Sequence, residues 1–264
     1  MPPLAALTAP ADWRMVDFIS DLHLHASERA TFTAWQHYLR HTPADAVFIL
    51  GDLFEVWVGD DVVDCVDGNS AQKAPKVPPF ELECVQTMRA ASARTGLFFM
   101  HGNRDFLVGP ALMAQCGAQL LRDPCTLSFN AQHWLLSHGD ALCLDDVPYQ
   151  AFRTLVRSAA WQADFLRQPL IQRQAMAKRM RAQSEAAKQA SGQFADADKA
   201  MTHQWLSQAN AATLIHGHTH QPADHVLSGG RLRLVLSDWD VAAQPPRAQV
   251  LRLTHAGLAR VALV

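Results

Sequence analysis

The chain contains the stretch Ala211-Ala-Thr-Leu-Ile-His-Gly-His-Thr-His220, an apolar run followed at once by three histidines in alternate positions. Alternation in an extended segment directs Ile215 and Gly217 to one side and His216 and His218 to the other. A glycine allows a tight turn, so both rings can face one point. The stretch therefore predicts a strand that ends at a metal site. The alternative is that these histidines lie in a solvated loop without function.

Length and composition restrict the classes of protein to consider. With 264 residues, 49% of them hydrophobic, the chain can bury a sizeable core, so we expect one large domain or one domain with an insertion. A formal net charge of -2 gives no reason to expect a nucleic-acid partner. The five cysteines are widely spaced without a C-x-x-C pair, which indicates reduced thiols. No secretory signal or membrane-spanning apolar run is recognisable, so we expect a cytoplasmic protein.

Short apolar runs alternate with helical patterns in the first half of the chain. Residues 15–20, 46–50 and 97–100 predict buried strands, and residues 29–41 and 80–94 predict helices between them. This alternation is typical of an α/β core, in which polar groups gather where the strands end. The chemistry of the protein is therefore expected at that edge.

The second half combines short strands with a long helical segment. Strands are predicted at residues 125–129, 133–137, 223–227, 231–236, 248–253 and 259–263. Between residues 148 and 207 apolar residues recur only at helical spacing. We therefore predict a core formed by residues 1–147 and 208–264, interrupted by a helical cap insertion at residues 148–207.

Seven oxygen and nitrogen donors follow predicted strands. They are Asp21, His23, Asp52, Asn103, His138, His216 and His218. Carboxylates and imidazoles without thiolates suit Mn²⁺, Fe or Zn²⁺. Seven ligands are too many for one tetrahedral ion, whereas two ions that share a carboxylate would use them all. Such a pair clamps the attacking and leaving oxygens of a phosphoryl displacement.

Five motifs, in this order along the chain, resemble those of the calcineurin-like metallophosphoesterases. They are Asp21-Leu-His23, Gly51-Asp52, Gly102-Asn-Arg-Asp105, His138-Gly-Asp140 and Gly217-His218. The resemblance extends from residue 16 to about residue 240. It implies an α/β (α+β) fold, a four-layer αββα sandwich with a helical cap, and two Mn²⁺ ions per chain. By position, Asp21, His23, Asp52 and His218 would bind one ion, and Asp52, Asn103, His138 and His216 the other.

Longer matches narrow the resemblance to the branch of this family that acts on UDP-2,3-diacylglucosamine in lipid A biosynthesis. They include Gly51-Asp-Leu-Phe-Glu55, Gly59-Asp-Asp61, Gly102-Asn-Arg-Asp-Phe106 and Arg179-Met-Arg181. The branch implies a pyrophosphohydrolase in which a metal-activated water attacks the α-phosphate. The products would be UMP and 2,3-diacylglucosamine 1-phosphate (lipid X). No obligate protein partner is indicated.

The resemblance also implies roles for further residues. Asn103, Arg104 and His138 would be catalytic, and Asn103, Arg104, Asp146, Tyr149, Ser184, Lys188, Ser191 and His216 would contact substrate. When positions are counted from Ser184 without gaps, the family has an asparagine and a lysine where this chain has Lys188 and Ser191. The agreement with the family is therefore weaker at these two positions. Arg104 could instead form a structural ion pair with Asp105. His220 is expected behind the metal ligands or on the substrate side.

The helical segment is locally basic, with eight Lys and Arg against two acids in residues 151–190. One interpretation is an ordinary amphipathic helix pair with a solvated charged face. The other is that its apolar side receives acyl chains while its basic side meets diphosphate and anionic headgroups. That second interpretation predicts peripheral association with the cytoplasmic face of the inner membrane.

Two other functions stay open at this point. A different dinuclear metallophosphoesterase, a phosphodiesterase or protein phosphatase, would use the same metals beneath another cap. A non-catalytic scaffold of the same fold would be expected to have lost ligands, whereas all seven ligand types are present here.

Overall fold

The structure, a computed structural model, describes residues 4–63, 79–191 and 195–264, and for residues 183–191 the backbone alone. Its strands are β1 (Ala5–Thr8), β2 (Met15–Ile19), β3 (Ala46–Leu50), β4 (Gly96–Met100), β5 (Ala118–Leu121), β6 (Cys125–Phe129), β7 (Gln132–Ser137), β8 (Thr213–His216), β9 (Ala223–Val226), β10 (Leu232–Val235), β11 (Gln249–Thr254) and β12 (Gly257–Ala262). Its helices are α1 (Arg29–His41), α2 (Phe80–Ser92), α3 (Pro110–Gln115), α4 (Val147–Val156), α5 (Ala159–Leu166), α6 (Leu170–Ser191) and α7 (Lys199–Gln208).

The strands of the described ranges form two six-stranded mixed sheets. One has the order β12-β11-β2-β3-β4-β5 and the other the order β1-β6-β7-β8-β10-β9. Strands β2 to β5 run parallel to one another, as do β7 and β8. Because carboxyl ends of parallel strands meet at one edge of a sheet, polar residues that follow these strands are brought together.

Side-chain alternation in the central strands separates the layers. In β3, Phe48 and Leu50 point into a core between the two sheets, whereas Val47 and Ile49 point toward the helices outside. All four are fully buried, as expected for a strand covered on both faces. The order of layers is therefore helix, sheet, sheet, helix, which confirms the predicted α/β sandwich.

Helices cover both outer faces. Trp35 of α1 and Met88 of α2 pack on the first sheet together with α3. On the other side, Trp205 and Leu206 of α7 pack against Leu135 and Leu214 of the second sheet. Helix α7 thus forms part of the outer layer, although it falls within the predicted insertion.

Two edge strands were not expected from the sequence. Strand β1 lies in the Pro- and Ala-rich leader and pairs in parallel with β6, while β5 pairs in parallel with β4. Each has four residues, too few for a clear periodic pattern, and each exists through pairing with a distant partner. The predicted surface excursion at residues 64–79 lies outside the described residues except for Pro79, and Cys65 lies in it.

Two further observations concern the described residues. Cys84, Cys116, Cys125 and Cys143 are free and buried, in agreement with the expectation of reduced thiols. Among the helices in the described ranges, none combines the length and apolar character of a transmembrane span.

Candidate metal centre

The predicted ligands lie at one edge of the sandwich, where strands β2, β3, β4, β7 and β8 end. Asp21 and His23 follow β2, Asp52 follows β3, Asn103 follows β4, His138 follows β7, and His216 and His218 lie at and after the end of β8. Contacts link six of them, and His216 lies beside the group, paired in register with Ser137 of β7. Asp21, His138 and His216 are fully buried, so the group is largely withdrawn from solvent.

Asp52 occupies the middle of the group. Its Oδ2 lies 3.9 Å from His23 Nε2 and 3.8 Å from His138 Nε2. One ligand atom from each of Asp21, Asp52 and His138 lies within 4.8 Å of the others, close enough to share a cation. This central position is the one that a carboxylate shared between two cations requires.

Asn103 contacts two histidines through one atom. Its Oδ1 lies 3.0 Å from His138 Nε2 and 2.8 Å from His218 Nδ1. The family resemblance assigns these two histidines to different ions. The amide oxygen therefore lies between the two groups of ligands.

The backbone at this edge is conformationally costly. Asp21, His23, Asp52, His218 and His220 all have positive φ, between 47° and 68°. For residues other than glycine such a conformation costs about 1–3 kcal/mol each, and it persists only where the surrounding structure enforces it. Among the described residues, five of the eight non-glycine positions with positive φ belong to this site.

Two glycines of the motifs permit close approach of the backbone to the carboxylates. A Cβ atom at Gly102 would collide with the carboxylate of Asp52, and one at Gly217 with the carboxylate of Asp21. Any larger residue would displace the ligand side chain that it meets. The glycines next to Asn103 and His218 are therefore required by packing at the site.

The two buried histidines are oriented by backbone carbonyls. His138 Nδ1 lies 2.9 Å from the oxygen of Leu50, and His216 Nδ1 lies 2.8 Å from that of Gly217. Donation from Nδ1 leaves the Nε2 lone pair as the ligand atom, the usual arrangement for metal-binding histidine. The Nε2 atom of His216 is buried without a hydrogen-bond partner in the described structure. An unpaired buried nitrogen of this kind fits a metal ligand.

Electrostatics at the edge favour a cation. Burial would lower the pKa of His138, but the carboxylates of Asp52, Asp21 and Asp140 raise it to about 9. Burial lowers the pKa of His216 to about 4, so this ring stays neutral. Burial would raise the pKa of Asp21, yet His220 and the other histidines hold it below its usual range. The carboxylates thus attract positive charge, and a bound metal would compete with protons for it.

Comparison with known proteins identifies the family. The Calcineurin-like phosphoesterase family matches residues 15–222. The chain belongs to the calcineurin-like phosphoesterases.

Similar curated proteins share one name, UDP-2,3-diacylglucosamine hydrolase. The protein from Bordetella parapertussis is 41% identical over 246 residues, which cover 90% of this chain and 91% of that protein. The one from Chromobacterium violaceum is 42% identical over 233 residues, covering 85% and 90%. The one from Xanthomonas campestris pv. campestris is 41% identical over 257 residues, covering 92% and 96%. The phosphoesterase is thus similar to these hydrolases over most of its length.

Arg104 and its neighbour Asp105 have separate environments in this phosphoesterase. The carboxylate of Asp105 accepts hydrogen bonds from the backbone amides of Gly102 and Leu53, both at 2.8 Å, and so joins two ligand-bearing loops. The backbone amide of Arg104 donates to Asp52 Oδ1 at 2.8 Å. Its side-chain Nε is buried and has no hydrogen-bond partner in the described structure. Burial and the charge of Asp52 raise the pKa of Asp105.

The predicted substrate contacts on the helical segment fall into two groups. Asp146 caps helix α4 by accepting a hydrogen bond from the amide of Tyr149 at 3.1 Å. The Tyr149 ring stacks on His218 with 5.8 Å between ring centres, so this residue contacts the metal centre directly. The side chains of Ser184, Lys188 and Ser191 lie outside the described residues.

Three residues of the site were not included among its predicted members. His220 Nε2 lies 3.2 Å from His23 Nε2 and 3.3 Å from Asp21 Oδ1, so its ring reaches ligand atoms. Glu55 Oε2 lies 3.0 Å from His23 Nδ1, and Asp140 accepts from Tyr149 at 2.5 Å. The continued alternation at His220 was a usable signal. Nothing in the spacing of Glu55 or Asp140 indicates their partners, which lie on other elements.

Two cavities adjoin this edge and differ in character. One, of about 570 Å³, borders His23 and is lined mainly by polar residues such as Ser27, Glu28, Asp240 and Arg247. The other, of about 370 Å³, lies between α6 and the loop after β3. Its lining includes Val56, Trp57, Val58, Val62 and Ala177. The polar cavity is bordered by the predicted ligand His23, and the more apolar cavity shares His25 and Arg181 with it.

Proposed function

We propose that this phosphoesterase hydrolyses the pyrophosphate bond of UDP-2,3-diacylglucosamine to UMP and 2,3-diacylglucosamine 1-phosphate, a step of lipid A biosynthesis. The observation that carries the proposal is the position of Asp52 between His23 and His138, within a set of seven oxygen and nitrogen donors. That donor set suits phosphoryl transfer. The substrate is inferred from curated relatives of that name at 41–42% identity.

The cofactor in this proposal is a pair of Mn²⁺ ions. One would be held by Asp21, His23, Asp52 and His218, and the other by Asp52, Asn103, His138 and His216. When bound, the ions activate a water molecule and neutralise charge on the phosphoryl oxygens. Support comes from the buried Nε2 of His216, which has no other partner in the described structure, and from ligand types that suit Mn²⁺.

Protein side chains have the task of orienting the diphosphate. The buried Nε of Arg104 has no partner in the described structure, and its guanidinium is suited to hold a non-bridging phosphate oxygen through paired hydrogen bonds. Asn103, His138 and His216 would contact the reacting phosphate from the metal side. Tyr149, Ser184, Lys188 and Ser191 of the helical segment are proposed to contact the rest of the substrate, together with Asp146 just before it.

The helical segment, residues 148–207, is proposed to act as a cap through α4, α5 and α6. Its apolar side would receive the acyl chains, for which the 370 Å³ cavity beside α6 provides support. Five of the large hydrophobic side chains exposed on the described surface lie on these helices: Val147, Phe152, Leu155, Leu166 and Ile171. Together with exposed basic residues of α6 such as Lys178 and Arg179, they support peripheral attachment to the inner membrane from the cytoplasmic side.

One assay tests the reaction and its specificity. Mn²⁺-dependent hydrolysis of UDP-2,3-diacylglucosamine and of a nitrophenyl phosphodiester is measured for wild type, Asp52→Ala and Arg104→Ala. We expect Asp52→Ala to abolish both activities. Arg104→Ala should lower turnover of the lipid nucleotide by about 10²–10³-fold, as for loss of one preorganised donor. Hydrolysis of the generic ester with none of the lipid nucleotide would reject the substrate and leave another phosphodiesterase activity.

Membrane attachment is tested separately by sedimentation with vesicles of anionic lipid at low and high salt. The proposal requires binding at low salt that weakens at high salt, because the basic residues of the segment contribute through screened charge interactions. A protein that stays in the supernatant at low salt would refute this part alone.

A further inference from the structure

Two carboxylates outside the ligand set connect the metal centre to the helical segment. Glu55 lies in the loop after β3, and Asp140 is the last residue of the His138-Gly-Asp140 motif. Both are withdrawn from solvent, with side chains 12% and 0% exposed. Glu55 contacts the predicted ligand His23 on one side and Arg181 of the helical segment on the other. Asp140 contacts Tyr149 and Arg153 of the helical segment and reaches the ligands through residues of that segment.

Glu55 joins His23 to helix α6. Its Oε2 lies 3.0 Å from His23 Nδ1, and its Oε1 lies 3.0 Å from a guanidinium nitrogen of Arg181. The distance between Glu55 and His23 is that of an ion pair, although the ring nitrogen is not aligned for a hydrogen bond. The opposite ring nitrogen, Nε2, faces Asp52 at 3.9 Å. A carboxylate behind a metal-binding histidine fixes the ring orientation and increases its basicity.

Asp140 contacts helix α4 and reaches a predicted ligand indirectly. Its Oδ2 accepts hydrogen bonds from the hydroxyl of Tyr149 at 2.5 Å and from Arg153 Nε at 2.8 Å. The Tyr149 ring, held in this way, stacks on His218. Asp140 therefore affects the position of the predicted ligand His218 through the Tyr149 ring.

A second path leads from Asp140 to Asn103. Arg157 of the chain segment after α4 lies 3.5 Å from Asp140 Oδ2 and donates to the backbone oxygen of Gly102 at 2.9 Å. Gly102 directly precedes Asn103, so the arginine supports the loop that presents this amide. Asp140 is thus connected to one ligand of each proposed ion.

We propose that Glu55 and Asp140 are positioning residues that couple docking of helices α4 and α6 to the orientation of the metal ligands. The proposal rests on the metal centre of the proposed function and is independent of the identity of the substrate. Because each carboxylate is shared, loss of the arginine on one side loosens the ligand on the other. Glu55 acts on the His23 side alone, whereas Asp140 acts on both ions through His218 and Asn103.

The test measures Mn²⁺ binding to the full chain by calorimetry and by electron paramagnetic resonance, beside activity. Glu55→Gln should weaken one of the two binding steps by about 10–100-fold, the usual cost of losing an outer partner of a ligand. Asp140→Asn should weaken both steps. Raised Mn²⁺ should restore activity to each variant, and Glu55→Asp should lie closer to wild type than Glu55→Gln.

Arginine variants keep the proposal testable where a carboxylate variant does not fold. Arg181→Ala and Arg153→Ala leave Glu55 and Asp140 in place, and each should weaken Mn²⁺ binding several-fold. Wild-type Mn²⁺ affinity in both arginine variants would overturn the coupling between the helices and the metal centre. Wild-type affinity in Glu55→Gln and Asp140→Asn would overturn the positioning role itself.

Asp61→Asn is the matched control. Asp61 pairs with Arg173, a buried residue of the same helix α6, with one nitrogen-to-oxygen distance of 2.9 Å. Its carboxylate is directed at the helix, and Arg173 is not among the residues that contact the metal centre. Because the pair of Glu55 and Arg181 stays in place in Asp61→Asn, Mn²⁺ affinity should stay at the wild-type value. An equal loss of Mn²⁺ affinity in this control would reduce Glu55 to a general structural role.

The same data separate this proposal from the proposed function. If the lipid nucleotide is not hydrolysed, yet Mn²⁺ binding follows the predicted order of variants, the substrate assignment fails and the positioning role stands. If the lipid nucleotide is hydrolysed and Mn²⁺ binding is the same in all variants, the substrate assignment stands and the positioning role fails.

Discussion

The edge of the sheets that carries the predicted metal ligands differs from the helical segment in how it is held. At the edge, ligands such as Asp21 and His138 are fully buried, and the backbone adopts costly positive φ angles. On helices α4 to α6, large apolar side chains such as Leu155 and Ile171 are 55% and 75% exposed. The edge is constrained by the sandwich beneath it, whereas helices α4 to α6 are attached through ion pairs and through apolar contacts such as those of Phe165 with the core. A site for fixed chemistry is thus combined with a surface suited to a variable, apolar partner.

The largest effect on activity is expected at the edge of the sheets, the more constrained of the two regions. Asp52→Asn keeps the shape of the central ligand and tolerates its positive φ, but it removes the charge that two cations would share. Activity should fall by at least about 10³-fold, more than the 10–100-fold cost of losing an outer partner. In the presence of a chelator, thermal unfolding should show a melting temperature close to wild type. A variant with substantial activity would contradict the central role of Asp52.

Metal removal should destabilise the edge. Binding only to the folded state stabilises a protein by about 2.7 kcal/mol when the free ligand is at 100 times its dissociation constant. Denaturant unfolding of protein treated with a chelator, with and without added Mn²⁺, measures this difference. His218→Ala should gain less from Mn²⁺ than wild type. An equal gain in both proteins would show that Mn²⁺ acts elsewhere.

A substitution on the helical segment should affect substrate binding without affecting the fold. Leu155→Ser removes an exposed apolar side chain of α4 and should change the free energy of unfolding by less than about 0.5 kcal/mol. If Leu155 contacts the acyl chains, KM for the lipid nucleotide should rise by up to about 10-fold, the equivalent of burying the 55% of the side chain that is exposed. Kinetics with the nitrophenyl diester should be unchanged.

Val226→Ser serves as the control for that measurement. Val226 is 80% exposed in strand β9, which is not part of the helical segment. It should leave both substrates unaffected. A similar rise in KM for both variants would mean that general surface hydrophobicity, rather than the helical segment, determines the affinity for the lipid nucleotide.

The smallest effect is expected from an exposed ion pair of the helical segment. Arg167 and Asp164 pair within helix α5 and its end, with side chains 76% and 70% exposed. Pairs of this kind contribute about 0–1 kcal/mol because water and salt screen them. Asp164→Asn should therefore change the denaturation midpoint within experimental error. A large loss of stability would mean that α5 is held more tightly than its exposure indicates.

Much of the fold followed from local patterns. Central strands such as β3 could be predicted because five consecutive apolar residues bounded by Gly51 are sufficient to identify a buried strand. The edge strands β1 and β5 could not, because a four-residue strand is stabilised by a partner that is distant in sequence. Their residues have no strong intrinsic preference that would distinguish them from a loop.

In the candidate site, too, some residues could be predicted from the sequence and others could not. Its predicted ligands are recognisable because each follows a strand end, and the topology of parallel strands brings strand ends to one edge. His220 was left outside the ligand set, and only the turn after His218 shows that its ring reaches Asp21 and His23. The contacts of Glu55 with Arg181 and of Asp140 with Arg153 join elements far apart in the chain.

The sequence by itself determined the α/β class, the ligand types and the order of the motifs, because these depend on residue identity and on spacing within one element. The tertiary structure alone decided which atoms meet: Asp52 between two histidines, Asn103 between His138 and His218, and the carboxylates that connect ligands to helices. Such contacts depend on the relative placement of strands and helices. That placement is set by packing of the whole core, to which every buried side chain contributes.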